Sequence, residues 1–272
     1  MRTAYISHPE CLEHETGTGH PEHPRRLSAI QDRLVASHLF DFLRHLDAPE
    51  ATEQQLLRVH SAEYLAHLRA SVPEEGLFSL DPDTRIGQHS LQAARRAAGA
   101  VVQAVDLVMD GDLDRAFCAV RPPGHHAERD QALGFCLYNN IAIGVAHALA
   151  EYGLSRIAVL DFDVHQGNGT EQAFMYDDRV MFCSTFLHPF YPFTPLLEDT
   201  ERMISVPLLA TAKSEEFRAG VTEHWLPALQ RFQPEFVFIS AGFDAHVDDD
   251  LSLIHISEPT RQLMSSRMPS SA

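Results

Sequence analysis

The sequence of 272 residues predicts an α/β fold, in which a mainly parallel sheet is covered by helices on both faces. In the second half of the chain, short apolar runs alternate with stretches of helical pattern, as in repeated strand–helix–strand units. The runs are apolar at nearly every position, which is typical of strands buried on both faces. The length is sufficient for one domain with a sizeable core.

The predicted strands are the five apolar runs at 115–120, 156–163, 179–186, 202–209 and 235–244. Helices are expected at 90–109, 141–152 and 214–232. For the first of these helices, Ser90 is the expected N-cap, and Gly111 follows its end. The first 80 residues are expected to hold a proline-punctuated loop, a short helix and two further short helical pieces.

Composition excludes several classes of function. The formal net charge is -17, and Lys213 is the single lysine. Nucleic-acid binding is therefore not expected, because it relies on clustered basic residues. No apolar run reaches the roughly 18 residues of a membrane span, and the first residues show no secretory signal. Four scattered cysteines indicate reduced thiols, so we expect a cytoplasmic protein.

The last residues, 251–272, do not continue the alternation of strands and helices. The segment LIHISEPTR within them resembles translated sequencing-adaptor DNA. We therefore expect a catalytic domain over residues 1–250 that is incomplete at its C-terminus, followed by a tail that is foreign to the natural protein.

Polar clusters follow three of the predicted strands. RPPGHHAE follows the first strand, DFDVHQGNG closes the second, and GFDAH closes the last. In a parallel sheet, functional residues gather just beyond the carboxyl ends of the strands. These three clusters are therefore predicted to form one site.

The second cluster indicates a metal site. In an extended strand alternate residues share a face, so Asp161, Asp163 and His165 are expected to point the same way. Two buried carboxylates and an imidazole need a compensating cation. Asp244 is the best-placed further ligand, and three protein ligands leave an open coordination position, as in catalytic sites. This donor set suits Zn²⁺, with Fe²⁺ or Mn²⁺ as alternatives.

A tandem pair, His125 and His126, follows the stiff segment Arg121–Gly124. Water activated by a metal needs a base to take its proton and an acid to protonate the leaving group. A histidine pair can do both if neighbouring groups orient the rings.

Three segments, RPPGHHAERDQALGFCLYNNIAIG, IAVLDFDVHQGNGTEQAF and FISAGFDAH, resemble the histone deacetylase family of zinc amidohydrolases. Within it they are most similar to the bacterial and class II branch. GHPEHPRRL, VHSAEYLAHL and DPDTRIGQHSLQAARRAAGA fit the same family, so the resemblance covers residues 1–250. It implies an arginase/deacetylase-like three-layer α/β/α fold.

The resemblance also implies roles for the polar residues. His126 matches the general base and acid, and His125 matches the partner that stays largely protonated and stabilises developing charge. The residues that match the zinc ligands are Asp163, His165 and Asp244.

Further roles follow from the same resemblance. Asp161 matches the carboxylate that hydrogen-bonds His125, and Asn168 matches the class II-like partner of His126. A monovalent cation such as K⁺ is expected beside Asp161 and Ser184. The expected substrate contacts are Gly134 and Phe135 on one wall of an acyl-lysine tunnel, Tyr191 on the other wall, and Asp83 at the rim.

The sequence departs from the family pattern in two places. Phe193 and Pro195 stand where family members often have a glycine-rich turn. The late Gly-Gly-Tyr segment, whose tyrosine hydrogen-bonds the substrate carbonyl, does not occur. Loss of one such donor commonly lowers the rate by about 10²–10³.

The expected activity is removal of acetyl groups from acetyl-lysine in proteins or from small acetylated amines such as acetylpolyamines. Two alternatives stay open, namely a catalytically silent metal-holding protein that binds acylated amines, and an arginase-like ureohydrolase with two bridged Mn²⁺ ions. The sequence does not indicate an oligomeric state.

Overall fold

The computed structural model describes residues 1–196, 200–246 and 249. They group into two compact units, one formed by residues 1–153 and the other by the described residues from 154 onwards. Each unit has its own parallel sheet and its own apolar core. In the part of the chain that is described, no helix is both long and apolar enough to cross a bilayer.

The first unit is built on three parallel strands in the order β2-β1-β5. A short antiparallel pair, β3 with β4, lies apart from this sheet. Its elements are β1 (Thr3–Ser7), a 3₁₀ turn (Pro9–Leu12), α1 (Arg25–Ala36), a 3₁₀ turn (Phe40–Phe42), β2 (Arg44–Asp47), α2 (Glu53–Leu56), α3 (Ala62–Ala70), β3 (Phe78–Ser79), β4 (Arg85–Ile86), α4 (Ser90–Met109), β5 (Arg115–Cys118) and α5 (Asn140–Glu151).

The sheet of the first unit is covered on both faces. Ala4 and Ile6 belong to a cluster with residues of α4, whereas Tyr5, which points the other way, belongs to a cluster with residues of α1. In the middle of α4, Gly99 allows a close approach of backbone, since a Cβ there would lie 1.9 Å from the carbonyl oxygen of Pro49.

The second unit is built on four parallel strands in the order β8-β7-β6-β9. Asp161 at the end of β6 is in register with Ser184 on β7 and Ser240 on β9. Its elements are β6 (Ile157–Asp161), α6 (Asn168–Phe174), β7 (Val180–Leu187), β8 (Met203–Leu208), α7 (Ser214–Gly220), a π-helical turn (Val221–Trp225), α8 (Leu226–Phe232) and β9 (Phe236–Ser240).

All five predicted strands are present, and all five pair in parallel. The three predicted helices are present too, the last of them interrupted by the π-helical turn. The predicted N-cap was wrong. His89 precedes α4 without a side-chain cap, and Ser90 Oγ instead accepts the Gly87 N–H at 2.8 Å and contacts His14 Nδ1 at 2.8 Å.

Three strands in the first 80 residues, β1, β2 and the two-residue β3, were not predicted. The side chains of β2 are largely exposed, because β2 lies at the edge of its sheet, so it lacks the continuous apolar pattern of a buried strand. The expected foreign tail, 251–272, lies outside the described residues.

Candidate active site

Three side chains from two strand ends converge in the second unit. Asp163 and His165 follow β6, and Asp244 follows the neighbouring strand β9. The Nδ1 atom of His165 lies 2.8 Å from Oδ2 of Asp244 and 3.0 Å from Oδ1 of Asp163. One ligand atom from each residue lies within 4.8 Å of the others. These residues therefore form a candidate metal-binding group.

A loop, rather than an extended strand, brings these residues together. Strand β6 ends at Asp161, so alternation along a strand does not explain the convergence, and that expectation was wrong. Instead, the backbone turns around the carboxylates. The N–H of Asp163 donates to Asp161 (3.1 Å), the N–H of His165 donates to Asp163 (2.9 Å), and the N–H of Val164 donates to Asp244 (2.9 Å). These bonds fix the directions of the carboxylates before any ligand binds.

Gly242 makes room for Asp163, one of the candidate ligands. A Cβ at this position would lie 2.1 Å from Oδ2 of Asp163, which is far closer than any stable contact. The carboxylate of Asp163 is therefore packed directly against the backbone that leads to Asp244.

The charges of this group suit a divalent cation. Burial by itself lowers the pKa of His165, but hydrogen bonds and charges from Asp163 and Asp244 outweigh it and raise the pKa to about 10. Burial, followed by the charge of Asp163, raises the pKa of Asp244 to about 6. A proton on the imidazole offsets one of the two carboxylate charges, whereas a divalent ion would offset both. The donor set of two carboxylates and one imidazole fits such an ion.

Two aromatic side chains contact the imidazole of His165. The ring of Phe190 stacks on His165 at a centroid distance of 5.4 Å and an interplanar angle of 19°. Tyr191, a predicted substrate contact, meets the same imidazole edge to face at 5.9 Å. Sequence reasoning missed Phe190, although the aromatic run after β7 was a signal for it.

The remaining predicted residues of the second unit lie close to these strand ends in the chain. Asp161 is fully buried, and Ser184, its partner in register, is fully buried as well. Asn168 is buried at the first position of α6.

The predicted histidine pair lies in the first unit. His125 and His126 are both buried, and their ring centroids are 4.0 Å apart. Gly134 has φ +54°, and a Cβ there would lie 2.3 Å from Cδ2 of His126. The imidazole of His126 therefore packs against backbone at a position that only glycine can occupy.

The first unit also brings together two predicted substrate contacts, Phe135 and the segment of Asp83. The backbone N–H of Phe135 donates to Oγ1 of Thr84 at 3.0 Å. His20 Nε2 lies 3.1 Å from the carbonyl oxygen of Asp83, and its ring meets Phe135 at 4.6 Å. Burial, and then hydrogen bonding to Asp81, raises the pKa of Asp83. His20 was not among the predicted substrate contacts, because its neighbours lie more than 60 residues away in sequence.

A buried ion pair anchors the start of the histidine segment. Arg121 is 1% exposed and donates to both carboxylate oxygens of Glu22, at 2.6 and 2.7 Å. It also donates to the carbonyl oxygens of Cys11 and His14, at 2.8 and 2.9 Å. The guanidinium thereby joins residues about 100 positions apart.

The fold and the ligand group define an α/β protein with a candidate divalent-metal centre at the ends of parallel strands. A family model described as the histone deacetylase domain matches residues 20–271. The chain belongs to the histone deacetylase family. Membership makes it a hydrolase of the deacetylase type.

Similar proteins come from several kingdoms. The chain is 34% identical to a histone deacetylase-like amidohydrolase of Pseudomonas aeruginosa, over 100% of this chain and 77% of the relative. It is 38% identical to an uncharacterised Synechocystis protein, over 93% of this chain and 84% of the relative. It is 36% identical to the human polyamine deacetylase HDAC10, over 92% of this chain and 40% of the relative.

Among solved structures, the crystal structure of the HDA15 HD domain matches with a TM-score of 0.89 and 31% identity, over 97% of this chain and 80% of that chain. This likeness confirms the predicted arginase/deacetylase-like α/β fold.

Proposed function

We propose that the protein hydrolyses acetylated amines with one zinc ion as cofactor, held by Asp163, His165 and Asp244. The convergence of three ligand atoms within 4.8 Å carries this proposal. Among the described residues this is the one group of its kind, which favours a single ion over the bridged Mn²⁺ pair of an arginase-like enzyme. Bound zinc would polarise the acetyl carbonyl and lower the pKa of a coordinated water. Iron(II) suits the same donors, so metal analysis of the purified protein decides between them.

His165 holds the cofactor through Nδ1, the nitrogen that faces both carboxylates. This nitrogen must give up its proton for ligation, so metal uptake is coupled to proton release. The stacked ring of Phe190 keeps water from one face of the imidazole and restrains its orientation.

His126 is proposed to take a proton from the attacking water and to deliver it to the departing amine. His125, for which the family resemblance implies Asp161 as the carboxylate partner, would stay protonated and stabilise the negative charge that develops on the acetyl oxygen. Asn168 would orient His126. The 4.0 Å spacing of the two buried rings supports different roles, because two positive charges so close together repel each other.

The substrate class is an acetylated amine on a slim aliphatic arm, either acetyl-lysine in a protein or a small acetylpolyamine. Gly134 and Phe135 are proposed to contact one side of the arm, Tyr191 the other side, and Asp83 the substrate backbone or amine at the rim. The net charge of -17 suits either a surface that steers cationic substrates or one that only confers solubility.

Three expectations stay predictions. They are a monovalent cation such as K⁺ beside Asp161 and Ser184, a cytoplasmic location, and the absence of nucleic-acid partners.

The test combines metal analysis with turnover. The purified chain is expected to hold one zinc per molecule and to deacetylate an acetyl-lysine peptide or an acetylpolyamine, about 10²–10³-fold more slowly than family members that carry the Gly-Gly-Tyr segment, and a hydroxamate chelator should abolish the reaction. Asp244→Asn should lose zinc and turnover together, whereas His38→Asn, at an exposed position, should retain both. Turnover that survives metal removal would refute the proposal, and so would zinc binding without turnover of either substrate.

A further inference from the structure

We infer that Asn139 and Asn140 are positioning residues, whose side-chain amides hold the backbone on either side of the histidine pair. This inference rests on the proposed function, because it concerns His125 and His126 as proton-transfer groups. Both asparagines are buried at the start of α5, and each side chain donates to a carbonyl of the segment that carries the histidines.

Both ends of the Asn139 side chain form hydrogen bonds. Its Oδ1 accepts the N–H of Ala142 at 3.0 Å and caps α5, while its Nδ2 donates to the carbonyl oxygen of Ala127 at 3.2 Å. The cap assigns the oxygen, so the nitrogen must face Ala127. Ala127 directly follows His126, and this bond therefore ties the C-terminal side of the histidine pair to the helix.

Asn140 ties the N-terminal side of the histidine pair to the same helix. Its Nδ2 donates to the carbonyl oxygen of Pro122 at 3.1 Å. Among the described residues its Oδ1 has no hydrogen-bond partner, although the atom is buried. A buried amide oxygen without a partner costs stability, so alanine at this position would serve the fold as well. Within the described part of the chain, the bond to Pro122 is the hydrogen bond that gives an amide a function here.

The histidines lie in a tight turn between two anchors, the carbonyl groups of Pro122 and Ala127 that the asparagine side chains hold. The N–H of Ala127 donates to the carbonyl oxygen of Gly124 at 3.0 Å, which closes the turn around the pair. Gly124 packs on the same helix start, since a Cβ there would lie 2.5 Å from the backbone nitrogen of Asn140. Movement of either anchor would therefore turn the imidazoles, and a misplacement of about 1 Å can lower a catalysed rate about 10²-fold.

His60 connects the backbone of Asn139 with that of Glu128, the residue after Ala127. Its Nε2 accepts the N–H of Asn139 at 2.9 Å, and its Nδ1 lies 2.9 Å from the carbonyl oxygen of Glu128. Burial lowers the pKa of His60 to about 4, so this ring is neutral under neutral assay conditions and keeps both bonds.

Two substitutions remove the bonds to the histidine segment while leaving the fold intact, and so distinguish a positioning role from a structural one. Asn139→Ser retains a good N-cap for α5, but serine is too short to reach Ala127. Asn140→Ala removes the bond to Pro122 together with the unpartnered oxygen. Ser61→Ala is the matched control, because it removes the side-chain cap of α3, where Ser61 Oγ accepts the N–H of Tyr64, without touching the histidine segment.

We expect kcat to fall at least tenfold in both asparagine variants, with KM within twofold of the wild-type value and an altered pH–rate profile. Zinc content and the circular-dichroism spectrum should be unchanged. Ser61→Ala should lower the melting temperature and leave kcat and the pH–rate profile unchanged. Wild-type kcat at all pH values in well-folded asparagine variants would overturn the inference.

A second readout does not depend on activity. In NMR spectra of the full chain, the imidazole signals of His125 and His126 should shift in both asparagine variants and stay in place in Ser61→Ala. If the wild-type chain shows no turnover, the proposed function fails, and these signals alone decide the positioning role. Unchanged imidazole signals in both variants would then refute it.

Discussion

Replacing His60 by Asn should make the protein less sensitive to acid. Burial lowers the pKa of His60 from its ordinary value of 6.5 to about 4, against hydrogen bonds to backbone carbonyls that act in the opposite direction. The folded protein therefore keeps this ring neutral between pH 6.5 and pH 4, whereas the unfolded chain binds a proton there. The associated stability is fully present above pH 6.5 and is lost as the pH falls towards 4.

The size of the effect follows from the two pKa values. With 6.5 for the unfolded chain and about 4 for the folded protein, protonation of the unfolded chain lowers the free energy of unfolding by about 2 kcal/mol at pH 5 and about 3 kcal/mol at pH 4. His14, whose pKa burial also lowers to about 4, contributes a similar loss. That loss is common to the wild type and the His60 variant, so it cancels in their comparison.

The assay is urea unfolding followed by circular dichroism at pH 7.5, 6 and 5. At pH 7.5, His60→Asn should be less stable than the wild type, because the buried N–H of Asn139 loses its acceptor. The gap between the two proteins should shrink by about 2 kcal/mol at pH 5. Leu65→Ala, a buried substitution without a titrating group, should show the same deficit at every pH. A His60→Asn deficit that is equal at pH 7.5 and pH 5 would refute the reasoning.

Three further outcomes are expected. Gly242→Ala should abolish zinc binding, measured by metal analysis, because its Cβ would lie 2.1 Å from a carboxylate oxygen of Asp163. Gly134→Ala should lower kcat at least tenfold, because its Cβ would lie 2.3 Å from the ring of His126. Glu22→Gln should destabilise the protein by about 3–5 kcal/mol in urea unfolding, since its buried guanidinium partner loses its counter-charge.

Gly153→Ala is the control for both glycine variants. Its φ is +64°, and no atom lies within 4 Å of the added Cβ, so it tests backbone strain without a clash. Equal effects of all three glycine substitutions on zinc binding and kcat would contradict the predictions for Gly242 and Gly134. A Glu22→Gln variant as stable as the wild type would contradict the role of the buried ion pair.

Much of the fold was predictable because buried parallel strands must be apolar on both faces. The runs that became β6 and β7 therefore stand out, and both strands are largely buried. The run that became β9 has the same apolar pattern, although Val237 and Ile239 are exposed at the edge of the described sheet. Asp163, His165 and Asp244 could be assigned to one edge of a sheet for the same reason. Strand β2 was missed because its side chains are largely exposed, and β1 because polar Thr3 and Ser7 flank only three apolar residues.

The histidine pair shows where local pattern stops being informative. The stiff turn around His125 and His126 can be read from the neighbouring prolines and glycine. The amides that hold it come from Asn139 and Asn140, which belong to a different element. No periodicity links these residues, since the path of the chain places them together.

By itself, the sequence determined the parallel α/β class, the positions of the strand ends and the types of side chain available there, because burial and backbone geometry impose these features on every local segment. Only the tertiary structure decided that a loop curls around Asp163, that Phe190 covers His165, and that Arg121 meets Glu22 inside the first unit. Such contacts depend on how distant segments pack, and packing selects one arrangement among many that the same local patterns allow.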